Sequence, residues 1–149
     1  MNAAILAMSQ SSKAHIRFNA ILCLGKSTPS DIVEKVLKTG LLDKSSRVRI
    51  KAADWIGRLR KTEFVPELTA ALAIERNAKA RATIEFSLRL LRDGYILKSA
   101  PGGRHNITVF GEEGGIRCSR VSQETLNKHG IEEIASKLRR PGLVETIPD

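Results

Sequence analysis

The chain has 149 residues, of which 42% are hydrophobic and 28% are charged. This balance is typical of one folded globular domain and excludes an intrinsically disordered chain. The formal net charge is +9, which favours attraction to polyanions but does not bear on the fold. The apolar run near the N-terminus is too short to span a bilayer and lacks the basic segment of a signal peptide, so no membrane contact is expected and the predicted location is cytoplasmic.

Positive charge is concentrated in the first two thirds of the chain. Residues 1–98 contain 18 Lys and Arg against 9 Asp and Glu, whereas residues 99–149 contain seven of each kind. An attraction to an anionic partner is therefore expected from the first part of the chain.

Three segments of that first part repeat each other at a fixed interval. They read HIRFNAILCLG, RVRIKAADWIG and KARATIEFSLR, and they start 32 residues apart, at His15, Arg47 and Lys79. Apolar residues recur at the spacing of a buried helical stripe, which predicts three equivalent helices. The stripe of the middle segment consists of Val48, Ala52, Trp55, Ile56 and Leu59.

The stretches between these helices also repeat. SDIVEKVLKTGLLD starts at Ser30 and TEFVPELTAALAIE at Thr62, again 32 residues apart, and residues 2–10 are predicted to form a shortened helix of the same kind. Each unit is therefore a pair of helices. Such pairs cannot bury their apolar faces alone and stack on their neighbours. The predicted fold is mainly α, a short α-α superhelix of about two and a half to three 32-residue units.

The middle unit carries the pattern of a known repeat family. An Asp lies a few residues before "VR", and a small pair "AA", an apolar residue, "G" and the later segment "VPELTAAL" follow in order. Over roughly residues 12–98 the chain resembles the HEAT-like repeat of the phycobilisome-lyase type, a solenoid of the armadillo and HEAT superfamily. The first unit departs from the pattern at residues 19–21, and the third at Ile84 and Glu85.

The remaining residues do not follow the repeat. "YILKS", from Tyr95, is predicted to be a remnant of a third outer helix, and "APGGRHN" a turn. "ITVF" and "GIRCSRVS" around "GEEG" predict a β-hairpin, and a last helix is expected over about Gln123 to Arg139, capped by Ser122 and weakened by Gly130. The prediction is thus two domains, helical repeats over 1–98 and a hairpin with a helix over 99–149.

Two roles are open for the segment 99–149. It can cap the end of the solenoid as a small appended subdomain, which such arrays require for solubility. It can also be a DNA-reading wing. The cap is favoured, because a wing with zero net charge would be unusual.

A column of arginines occupies equivalent positions in the three units. The resemblance to HEAT-like arrays implies that these arginines form a polar ladder between units, with acidic residues before the next inner helix as acceptors. The predicted ladder consists of Arg17, Arg49, Arg81, Asp43 and Glu75. A binding role for the ladder is not expected.

A second line of polar residues follows the other side of the same helices. Because inner helices line the concave face of solenoids of this type, we expect these residues to give that face a positive potential. The predicted binding residues are His15, Lys26, Arg47, Lys51, Arg58 and Lys79.

Three readings of this face are open. A solvated surface is one, and phosphate contacts with duplex nucleic acid are another. The apolar Leu22, Phe86 and Leu90 on the same line favour the third, a protein partner, which is the leading hypothesis. A short array with an exposed end can also form a homodimer.

No catalytic residues, metal site or cofactor are predicted. Some HEAT-like proteins are alkylpurine DNA glycosylases with an Asp beside aromatic residues, but Asp54 and Trp55 alone do not form that constellation. Bilin lyase activity has only the repeat type in its favour. The three histidines, His15, His105 and His129, are too scattered for metal ligation.

Overall fold

The computed structural model describes residues 1–141, which form two compact units, the first Met1–Leu88 and the second from Arg89 onward. The first unit is helical throughout. Its helices are α1 Asn2–Ser9, α2 Ala14–Leu22, α3 Ser30–Leu41, α4 Ser46–Arg58, α5 Val65–Ile74 and α6 Ala78–Asp93, the last of which runs on past Leu88. Among the helices of residues 1–141, none is long and apolar enough to cross a membrane.

The helices alternate as the repeat predicts. Helices α2, α4 and α6 begin at Ala14, Ser46 and Ala78, which are 32 residues apart, and a helix of the other series precedes each one. Helix α1 packs on α2, α3 on α4, and α2 on α4. The predicted fold class, a mainly α repeat followed by a small strand and helix segment, is confirmed.

The core of the first unit lies where α3 meets α2 and α4. Helix α3 buries an apolar stripe of Ile32, Val33, Val36, Leu37 and Leu41. Gly40 continues this stripe without a side chain. A Cβ atom there would lie 2.9 Å from the Cβ of Ala52 and 3.1 Å from the Cδ1 of Ile21, closer than packed carbons approach. The glycine therefore allows the three helices to come together.

The second unit contains a three-stranded antiparallel sheet. Its strands are β1 Ile96–Ala100, β2 Arg104–Phe110 and β3 Ile116–Ser122, in the order β1-β2-β3. The predicted hairpin corresponds to β2 and β3. The helical prediction for "YILKS" is wrong, because the tight turn Pro101–Gly103 folds these residues back on β2, pairing Ile96 with Thr108. The predicted boundary at residue 98 therefore falls inside a strand.

Two helices, and not one, follow the sheet. They are α7 Gln123–His129 and α8 Ile131–Arg139, separated by Gly130 at φ 75° and ψ 151°. This conformation lies outside the helical region and suits glycine, so a single helix over 123–139 was a wrong prediction. The predicted cap is present, since the Ser122 hydroxyl accepts a hydrogen bond of 3.0 Å from the Thr125 amide.

One face of the sheet is covered by α8. The helix buries Ile134, Ala135 and Leu138 against Ile107, Val109 and Val121 of the sheet. Alternation along each strand leaves the residues between these positions on the opposite face.

Candidate functional site

Two arginines of the predicted ladder are joined to acidic residues of the next unit. Arg17 Nε and Nη2 donate to Asp43 Oδ2 and Oδ1 at 2.6 and 2.8 Å. Arg49 donates in the same way to Glu75, at 2.6 and 3.0 Å. Both partners lie 26 residues further along the chain, so each pair links one repeat unit to the next. Paired forks of this kind are the strong form of ionic hydrogen bond.

Each of these arginines also holds the loop before its own helix. Arg17 Nη1 donates to the carbonyls of Ser11 and Ser12 at 2.9 and 3.0 Å, and Arg49 Nη1 to the carbonyls of Asp43 and Lys44 at 2.7 and 3.2 Å. One guanidinium therefore satisfies both the loop backbone and the carboxylate of the next unit, a structural task that leaves it little freedom to bind a ligand.

The ladder shifts the ionisation of its carboxylates. The hydrogen bond from Arg49 lowers the pKa of Glu75 below its ordinary value, against an opposing effect of burial. Burial raises the pKa of Asp43, but the hydrogen bonds from Arg17 and the Ser45 amide together outweigh it and leave the pKa lowered. Both groups are therefore anionic at neutral pH.

The ladder ends at Arg81. The position 26 residues beyond it is Ile107, in strand β2, so no carboxylate stands at the equivalent position. Arg81 Nη1 donates instead to the carbonyls of Leu72 and Glu75 at 3.0 and 3.4 Å. Within residues 1–141 it has no carboxylate partner. The column is thus two ion pairs and one terminal arginine.

The second line of polar residues divides into two groups. We call it the inner-helix face, made of His15, Arg47, Lys51, Arg58 and Lys79. Lys51 and Arg58 share the carboxylate of Asp54, at 3.6 and 2.9 Å. The predicted Lys26 is exposed but lies in the loop after α2 and not on an inner helix.

The other three members of the inner-helix face carry no such neutralisation. His15, Arg47 and Lys79 are exposed and have no carboxylate partner among the described residues. The same holds for the loop residue Lys26. Positive charge on this side of the first unit is therefore available at some predicted positions and compensated at others.

An aromatic cleft lies beside these cations. Phe18 is half-buried, with Arg47 Cζ at 5.9 Å and Lys51 Nζ at 5.2 Å from its ring centre. A cavity of about 200 Å³ opens next to the ring, lined by Ala14, His15, Phe18, Asn19, Ser45 and Arg47. The sequence prediction placed the cations here but missed Phe18, which the repeat alignment hid in an ordinary helical position.

The residues considered for a glycosylase-type site have other contacts. The Asp54 carboxylate is held by two cations, and the indole N–H of Trp55 donates to the Leu24 carbonyl at 3.1 Å. Trp55 is half-buried and not part of the fully buried stripe. Among residues 1–141, no group of three or more His, Cys, Asp or Glu side chains is placed to hold a metal ion.

Apolar side chains are exposed at two places in the first unit. On the inner-helix side Leu22 is 43% exposed, but Leu90, expected on the same line, is buried at 3%. Leu42 and Ile74 are 72% and 70% exposed beside a cavity of about 290 Å³ next to the Arg49–Glu75 pair. These two residues are equivalent in the 32-residue repeat, and their apolar column was the signal that the sequence analysis did not use.

Comparison with known proteins agrees with the repeat architecture. Searches of the curated proteins and of the solved structures gave no match. The family model for HEAT repeats matches residues 2–89, which covers α1 to α5 and most of α6. The narrower likeness to the phycobilisome-lyase type stays a prediction. With more than half of its length matched and with its helix pairs stacked through an arginine ladder, the chain belongs to the HEAT repeat family.

Proposed function

We propose that this protein is a non-enzymatic interaction module that binds an acidic protein segment through the inner-helix face. HEAT repeats are in general scaffolds for protein interactions. The observation that carries the finer proposal is the cleft at Phe18, where an apolar wall adjoins cations that lack a carboxylate.

The shape and chemistry of the cleft suit a side chain from a protein. A cavity of about 200 Å³ accommodates one apolar side chain, and burying such a side chain is worth about 1.5 to 3 kcal/mol. Arg47 and His15 on its rim can then receive a neighbouring carboxylate. The exposed Leu22 adds apolar surface on the same side. An apolar anchor flanked by acidic residues is therefore the partner feature that fits best.

A second candidate is duplex nucleic acid held by the same face. The exposed and uncompensated Arg47, Lys79 and His15 favour it, since they could contact phosphates. Against it, Asp54 neutralises two of the five members of the face. Phosphate binding falls steeply with salt, whereas an interface with an apolar anchor is much less sensitive.

Site-specific photo-crosslinking tests the proposal. A photo-crosslinking amino acid replaces exposed Asn19, which lines the cleft, and in a matched control it replaces exposed Thr69 on α5. Irradiation in nuclease-treated extract at about 200 mM salt is expected to attach a defined protein at position 19 and not at position 69. The variant Arg47→Glu with Lys79→Glu should abolish that product, and the purified partner should bind the unmodified chain.

Two results would contradict the proposal. Equal products from positions 19 and 69 would mean that the inner-helix face has no preference. A product that disappears with nuclease treatment would favour the nucleic-acid candidate instead.

A further inference from the structure

The zero net charge of residues 99–149 conceals a separation of charge within the second unit. The three strands contain Lys98, Arg104, Arg117 and Arg120 and no Asp or Glu. The acidic residues of the described part lie in the loop between β2 and β3 and on helices α7 and α8, where basic residues balance them. The charge total of the segment is therefore a poor guide to the potential of its sheet.

Strand alternation places most of this charge on the face that α8 does not cover. Ile107, Val109 and Val121 point toward α8, so the open face carries the residues between them. Lys98, Asn106 and Arg120 form one row across the three strands, through the pairs Lys98 with Asn106 and Asn106 with Arg120. Arg104 lies on the same face, one step along β2, whereas Arg117 lies on the other and donates to the Arg140 carbonyl.

The row is accessible and its cations have no carboxylate partner within residues 1–141. Lys98 and Arg120 are exposed. The contact printed in this row joins Arg120 Nε to Asn106 Oδ1 at 3.2 Å, which orients the guanidinium without neutralising it. With strands about 4.8 Å apart, the two cations stand roughly 10 Å from each other at the backbone.

We propose that the open face of this sheet binds the phosphate backbone of duplex DNA, as a site separate from the inner-helix face. The face has cations and no acids, and duplex DNA is a regular polyanion with one charge per about 1.7 Å of its axis. Single strands fit poorly, because binding them needs exposed aromatic rings for base stacking. The aromatic residue of this face, Phe110, is 4% exposed.

The polar groups of the face also favour DNA over duplex RNA. RNA is recognised largely through its 2′-hydroxyls, which need unengaged donors and acceptors. Here Asn106 receives the Arg120 hydrogen bond, and the Thr108 hydroxyl lies 3.4 Å from the Cys118 sulfur. The cations are thus the main groups offered to a ligand, and they recognise phosphate without reading sequence.

Fluorescence anisotropy with a labelled duplex DNA of about 20 base pairs tests this site. With two phosphate contacts, the affinity of the full chain should fall about tenfold between 50 and 200 mM salt. The variant Lys98→Glu with Arg120→Glu should weaken binding at least tenfold at 50 mM salt and flatten the salt dependence. The control Lys35→Glu with Lys128→Glu changes the net charge equally at two exposed positions elsewhere and should change the affinity less than threefold.

Further arms make each failure informative. Equal weakening by the sheet variant and the control would mean that only net charge matters, and would overturn the site. Loss of DNA binding in Arg47→Glu with Lys79→Glu, with the sheet variant unaffected, would move DNA to the inner-helix face. Tighter binding of a duplex RNA, or of a poly-glutamate peptide, would overturn the assignment to DNA. Circular dichroism melting curves establish that every variant is folded.

Discussion

Arg47 and Arg49 stand two residues apart on helix α4 and have opposite surroundings. Arg49 faces the neighbouring unit, where it binds Glu75 and two loop carbonyls. Arg47 is exposed, lies over the Phe18 ring and has no carboxylate partner in the described part of the chain. The same residue type therefore serves architecture on one side of the helix and remains available for a partner on the other.

This difference shows why a count of charges is a poor description of a repeat protein. The ladder uses cations that add to the formal net charge of +9 yet present little potential to a ligand, because each is matched by a carboxylate. The inner-helix face contributes fewer charges, but several of them are unmatched. Breaking each side separately should give opposite phenotypes, one in stability and the other in binding.

The largest expected effect comes from Arg49→Met. It leaves the Glu75 carboxylate, whose side chain is 4% exposed, without its partner, and losing one member of a buried pair costs about 3 kcal/mol. The free energy of unfolding from urea denaturation measures this loss. On the other side of the helix, Arg47→Met should change the free energy of unfolding by less than about 0.5 kcal/mol. Similar losses in the two variants would remove the distinction between the ladder and the inner-helix face.

A smaller and pH-dependent effect is expected from the ladder carboxylates. The lowered pKa values of Asp43 and Glu75 mean that the ladder stabilises the fold above the unfolded values of about 4. That stability is lost as the pH falls through the folded values, so the free energy of unfolding should decline below about pH 4. Asp43→Asn should be less stable at pH 7 and should lose less on acidification. Parallel pH profiles for the two proteins would contradict this role for Asp43.

The smallest effect is expected at the end of the column. Arg81 donates to two carbonyls but binds no carboxylate within residues 1–141, so Arg81→Met should lower the free energy of unfolding by about 1 kcal/mol or less. Thermal melting beside Arg17→Met and Arg49→Met makes the comparison. A loss as large as theirs would show that the loop contacts, and not the ion pairs, carry the stability of the ladder.

Much of the helical unit could be predicted because a repeat states the same information several times. The 32-residue interval placed the starts of α2, α4 and α6 in one register. The second unit occurs once, so each of its elements rested on local signals alone. Residues 96–100 lacked such a signal, and their strand depends on pairing with β2 across a turn.

The limits of sequence reasoning are clearest at the surface. Leu90 and Leu22 share a helical periodicity, yet one is buried at 3% and the other is 43% exposed. Lys51 and Arg47 belong to the same row, yet only Lys51 lies near Asp54. Periodicity assigns a residue to a side of its helix, but exposure depends on what the neighbouring elements place there.

The sequence by itself determined the helix pairs, their interval, the column of arginines and the position of the charge excess, since all of these are properties of order along the chain. Only the tertiary structure decided which cations are neutralised. Distances across units set the pairs Arg17–Asp43 and Arg49–Glu75, and the register of the sheet set the row of Lys98, Asn106 and Arg120. Electrostatic interaction depends on separation in space, which the order of residues does not specify.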